Sequence, residues 1–226
     1  MAISRRFDNV LVVSGLSGVG KSTFINRFLS GSLADDVALQ LPKASPGWYL
    51  IKEGICVKKR LSLDGALSTI PPTCSNLMIH YDATIVFRCG LRGYEDDPLL
   101  GICEYASTVI ILVLNAPPAQ ILAQYYSRQR KQKFRIKKMW NNFVRKPIGK
   151  LSRRALGINF CESAADLYIN EDAVRYYYSR WLDYVTELEK RHEGVRVIHI
   201  QPYSNGSELV FRLVTTYAAV TSSPKS

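Results

Sequence analysis

Paired cysteines are missing from this sequence. Cys56, Cys74, Cys89, Cys103 and Cys161 are odd in number, widely spaced and form no CxxC pair, which argues against a disulfide framework and a zinc site. Reduced thiols in a cytoplasmic protein are the expectation. Long apolar runs are also missing. The longest, Val109 to Leu114, falls far short of the roughly 20 residues a membrane-spanning helix needs, and Pro117 and Pro118 follow it closely. Asp8 comes directly after Arg5, Arg6 and Phe7, so the start lacks the pattern of a secretory leader. No internal repeat stands out.

Acidic residues are the scarcer charge, 19 Asp plus Glu against 30 Lys plus Arg, for a net charge of +11. The deficit is local. From Arg128 to Arg154 there are twelve basic residues and no acidic one. A surplus of this size suggests polyanionic partners: nucleotide phosphates, RNA or an anionic membrane surface. Phe134, Trp140 and Phe143 interleave the basic residues. The segment, about 127–156, therefore reads as a lid-like insertion closing on a nucleotide, or as an arm for RNA or membrane.

What the chain does have is enough apolar material, 47% of 226 residues, to bury the core of one α/β domain over 1–220, with 221–226 as a disordered tail. Asn9 to Ser14 reads as a buried strand, and Ser22 to Leu29 as a helix stopped by Ser30-Gly31-Ser32. Trp48 to Lys52 and Ile55 to Leu63 suggest a strand pair turning at Glu53-Gly54. Further strands are expected at Asn76 to Asp82, Ser107 to Leu114 and Val195 to Ile200. Helices are expected at Pro98 to Tyr105, Ala119 to Tyr126, Asp172 to Arg191 and, closing the chain, Glu208 to Val220; Gly90 to Asp97 reads as a charged linker. The alternation predicts a doubly wound, mostly parallel sheet of about five strands with helices on both faces. Ligands then belong at the carboxyl ends of the strands.

Gly15-Leu16-Ser17-Gly18-Val19-Gly20-Lys21-Ser22, followed by Thr23, matches GxxxxGK[ST] between a strand and a helix, the setting in which that motif binds phosphate. Glycines allow the backbone N–H groups to turn inward, and the helix adds the positive end of its dipole. Lys21 should reach the β- and γ-phosphates and Ser22 the magnesium ion. A second group is needed for magnesium or for the attacking hydroxyl. Asp82, closing a strand, is the candidate, as metal-water holder or general base. Asp64 competes with it, and His80 reads better as a hydrogen-bonded imidazole than as a catalytic one. Arg88 and Arg92 could clamp a substrate anion. Arg128 or Arg130 could neutralise transition-state charge from a lid.

The loop Val10 to Thr23 (VLVVSGLSGVGKST) and the stretch Val109 to Arg130 (VIILVLNAPPAQILAQYYSRQR) resemble the small-molecule kinases among P-loop NTPases, the nucleoside and nucleoside-monophosphate kinase group. His80-Tyr81-Asp82 is similar to an element of kinase-like ATPases from bacterial surface-polysaccharide clusters. The resemblance implies ATP and Mg2+ as ligands and transfer of a γ-phosphoryl group to a nucleoside, nucleotide or sugar-like acceptor. It leaves open a non-kinase ATPase or nucleotide-binding module in cell-envelope assembly, and a nucleic-acid-associated NTPase. The acid-arginine pair of nucleoside kinases is not clearly present. A DxxG element and an NKxD element are absent, Asn115-Ala116-Pro117-Pro118 standing where the latter would fall, so adenine or lax base preference is expected.

Overall fold

The computed structural model describes residues 6–43, 47–52, 62–89, 91–127, 170–205 and 208–214. Its centre is β1, Phe7–Gly15. Val10, Leu11, Val12 and Val13 are all at most 1% exposed, as a strand covered on both faces requires. Six strands make one mixed, mostly parallel sheet in the order β2-β3-β1-β4-β5-β6. The others are β2 (Trp48–Lys52), β3 (Asn76–Asp82), β4 (Ala106–Leu114), β5 (Val195–Asn205) and β6 (Glu208–Leu213). The first five run parallel, and β6 returns antiparallel to β5.

Helix α1, Lys21–Leu29, buries Phe24, Ile25 and Phe28, each contributing about 1.5–3 kcal/mol on leaving water. Short helices α2 (Asp35–Ala38), α3 (Leu63–Ser68), α4 (Ile85–Cys89) and α5 (Pro98–Gly101) follow, and a helical run at 118–127 comes after β4. The long helix α6, Glu171–Arg191, turns Val174, Trp181 and Val185 inward.

Strand alternation shows that α1 and α6 lie on opposite faces. Ser14 and Tyr81 are register partners on β1 and β3, and both meet Trp181 of α6, through a hydrogen bond and a ring contact. Successive side chains of a strand point to opposite faces, so His80 and Asp82 belong to the other face. There His80 meets Ser22 of α1.

The sequence reading needs three corrections. Among the described residues six strands stand where about five were expected, because Glu208–Leu213 is a strand and not the start of a closing helix. Phe211 of β6 packs edge-on against Phe24, with centroids 5.1 Å apart. Residues 215–220 of the expected helix lie outside the described residues. Second, β2 pairs in parallel with β3, and Leu63, expected to end a paired strand, opens α3 behind the Ser62 cap; Ile55 to Leu61 lie outside the described residues. Third, the linker at 90–97 is not merely solvated: Tyr94 and Asp97 are 5% exposed, and Asp97 caps α5 by accepting from the Leu99 N–H. The insertion at 127–156, apart from residue 127, and the tail at 221–226 also lie outside the described residues.

Candidate functional site

The carboxyl end of β1 runs into a loop whose path only glycine tolerates. Gly15 has φ +144°, and a Cβ there would sit 2.7 Å from the Leu114 carbonyl oxygen, a backbone atom that cannot rotate away. Gly18 and Gly20 also have positive φ, +101° and +100°. Leu16 and Val19 turn their side chains into the core, so these two residues have only backbone to offer a ligand. Ser17 is half-buried, while Ser22 and Thr23 on the first turn of α1 are exposed.

The start of α1 differs from those of α2, α3, α5 and α6. Ser62, Asp97 and Asn170 cap α3, α5 and α6 with side-chain oxygens, and α2 carries Asp35 and Asp36 in its first turn. Gly20 caps α1 with no side chain, and no acid stands in its first turn. The first N–H groups of a helix have no partner inside it and carry the positive end of its dipole. An anion in front of this helix would satisfy both.

Lys21 is only 5% exposed. Its ammonium donates to the carbonyl oxygens of Gly15, at 2.8 Å, and Leu16, at 2.9 Å. That cross-brace folds the loop around a positive charge held out of solvent. The residues fit a polyphosphate: uncapped helix donors, a fixed cation and an exposed hydroxyl at Ser22 converge on one loop. Among the described residues no group of three or more His, Cys, Asp or Glu gathers as a metal site. A cation held here would therefore draw oxygens from its anion.

Asp82 reaches the same sheet edge, with Gly15 as its register partner and the Ala83 N–H donating to the Gly15 carbonyl. It is 4% exposed, and its Oδ1 accepts from the backbone N–H and the hydroxyl of Thr84. Its carboxylate is thus anchored in the turn after β3. Asp64 stands elsewhere. It is exposed on α3, one turn before Leu67, whose carbonyl accepts from Arg6 just ahead of β1 and so near the opposite edge of the sheet. Arg92 is exposed; the side chain of Arg88, and the whole of Arg128 and Arg130, lie outside the described residues.

Three neighbours are brought to the loop by distant segments, and of these the sequence singles out only His80, as a hydrogen-bonded imidazole. His80 brings Nε2 to 3.4 Å from the Ser22 hydroxyl oxygen; burial, with Lys21 nearby, lowers its pKa to about 4 against the opposing pull of Asp82. The imidazole is therefore neutral at pH 7. The signal was period-two alternation, which places His80 on the same face as Asp82. Gln124, on the helical run after β4, lies 3.5 Å from where a Cβ on Gly18 would be. Leu209 of β6 crowds Gly20, and Glu208 pairs with Arg27 of α1 at 3.1 Å.

Behind the loop, Trp181 donates to the Ser14 hydroxyl at 3.0 Å, and Ser14 donates to the Leu112 carbonyl at 2.8 Å. This pins the end of β1 to α6 and β4. Beside it, Tyr81 donates to Asp97 at 2.8 Å and Tyr94 to the Ala83 carbonyl at 2.9 Å. A separate hollow of about 480 Å³ opens at the far end of α1, lined by Phe28, Leu33, Leu39 and Leu41 with Asp35 and Lys43 among them.

No helix among the described residues is long and apolar enough to cross a membrane. Compared with known proteins, the chain matches no family model and no curated sequence.

Proposed function

We propose that the chain is a P-loop phosphotransferase that binds ATP with Mg2+ in the glycine loop and moves the γ-phosphoryl group to a small-molecule acceptor. The observation that carries this reading is the pairing of an uncapped, acid-free start of α1 with the buried, cross-braced Lys21. The site's place in the sheet supports it. Connections from β1 lead to β2 and β3 on one side while β4 and β5 lie on the other, and ligands of open α/β sheets bind at the carboxyl ends of strands where the order reverses in this way.

In this reading the loop N–H groups and Lys21 hold the β- and γ-phosphates and offset the charge that builds on them during transfer. Ser22 holds the Mg2+ ion, which when bound supplies the charge neutralisation between those phosphates. Asp82, steadied by Thr84, would orient water at the cation or take the acceptor's proton. Arg128 or Arg130 completes the charge balance; the described helical run ends one residue before Arg128, and its Gln124 already lies against Gly18.

The test is to incubate the full chain with ATP, Mg2+ and panels of nucleosides, nucleotides and sugars, following products by phosphorus NMR. A new phosphorylated species is expected with one acceptor class. Free phosphate as the sole product would favour the ATPase reading instead. With an acceptor in hand, Asp82→Asn, which keeps an oxygen for Thr84, should abolish turnover and leave nucleotide affinity within a few fold. Undiminished turnover would remove Asp82 from the mechanism.

A further inference from the structure

The strand next to the glycine loop presents to the Ser22 hydroxyl an imidazole, not a carboxylate. Ser22 Oγ and His80 Nε2 stand 3.4 Å apart. Asp82, two residues on, is on the same face, but its Oδ1 is engaged by both donors of Thr84. The separation has a chemical meaning. Two ligand atoms each about 2.1 Å from one cation and at right angles to each other are about 3 Å apart, for oxygen and nitrogen donors alike. A small movement of the His80 side chain brings both atoms to that spacing.

We propose that His80 is a nitrogen ligand of the divalent cation held by Ser22 and the nucleotide phosphates, so that this site favours transition metals over magnesium. The inference rests on the nucleotide-binding reading above and deepens it. Magnesium is a hard cation that prefers oxygen ligands, whereas imidazole suits the later first-row metals, whose affinity for mixed nitrogen and oxygen sites rises from manganese to cobalt and nickel. A neutral nitrogen adds ligand strength without adding a carboxylate. His80 binds the cation through Nε2, the atom that faces Ser22.

The experiment uses the full chain with ADP and Mn2+, read by pulsed electron paramagnetic resonance. Wild type is expected to show a directly bound nitrogen coupled to manganese, and the coupling should vanish in His80→Asn. In parallel, ADP binding supported by Co2+ should exceed that supported by Mg2+, and His80→Asn should lower the Co2+ to Mg2+ affinity ratio by about tenfold or more. A manganese-nucleotide complex with no nitrogen coupling overturns the inference while leaving nucleotide binding intact; an unchanged affinity ratio in a folded His80→Asn variant does the same. Failure of wild type to bind ADP with any of the three metals contradicts the nucleotide reading itself.

Discussion

Single side chains pin the strands behind the glycine loop, and one of them makes stability depend on pH. The Ser14 hydroxyl accepts from the Trp181 indole N–H and donates to the Leu112 carbonyl, with Ser14 and Trp181 both fully buried. Asp97 is the more informative. Burial raises its carboxyl pKa, against the opposing effects of the Leu99 N–H and the Tyr81 hydroxyl. A raised acid pKa means the folded chain holds this proton more tightly than the unfolded one, so stability falls as pH rises above the ordinary aspartate range near 4. Asp97→Asn keeps an oxygen to cap α5 and cannot ionise. Urea midpoints between pH 4 and pH 7 should therefore improve for the variant relative to wild type as pH rises; a constant difference would show that Asp97 does not titrate in that window. None of this was legible in sequence. Asp97 read as part of a charged linker because its surroundings are assembled from distant segments: Tyr81 of β3 bonds to it directly, and the neighbouring Tyr94 packs on Trp181 of α6.

Elements were legible where one local pattern decided them. The continuous apolar runs of β1 and β4 and the 3.6-residue period of α6 each carry their own signal, and the structure follows them to within a few residues. The end of the described chain was misread because Glu208 to Leu213 satisfies a helical spacing about as well as a strand. The stronger cue was Gly206-Ser207, a glycine-first dipeptide suited to a two-residue hairpin connection, and the flanking Asn205 and Glu208 do pair. Pro202 in β5 argues against a strand only where its N–H is needed; it lies beyond Ile200, the last residue paired with β4. Gly15 in the loop and Gly31 beyond the far end of α1 give a graded prediction. Gly31 has φ +67° and open space around it, whereas Gly15 has φ +144° and the Leu114 carbonyl in the way. Gly31→Ala should cost about 1 kcal/mol and Gly15→Ala at least about 2 kcal/mol, by chemical denaturation. Equal costs would mean that the approach of Leu114 does not constrain the turn.

For the molecule as a whole, the sheet order sets what can meet. Placing β3 and β4 on either side of β1 brings Asp82 beside Gly15 and the helical run at 118–127 over Gly18. The contiguous part of the candidate site, Gly15 to Thr23, could be read directly because its chemistry lies within one unbroken stretch of sequence. The contact of Ser22 with His80 could not, since it depends on the register that sets Val13 against His80. Everything proposed for this chain rests on an anion completing the start of α1 around Lys21. The direct measurement is the melting temperature of the full chain with and without ATP and Mg2+, for wild type and Lys21→Ala. Saturating nucleotide at about 100 times its dissociation constant adds about 2.7 kcal/mol to stability, so wild type should melt several degrees higher with nucleotide and Lys21→Ala should not move. Equal shifts in the two proteins, or no shift in wild type, would contradict the account.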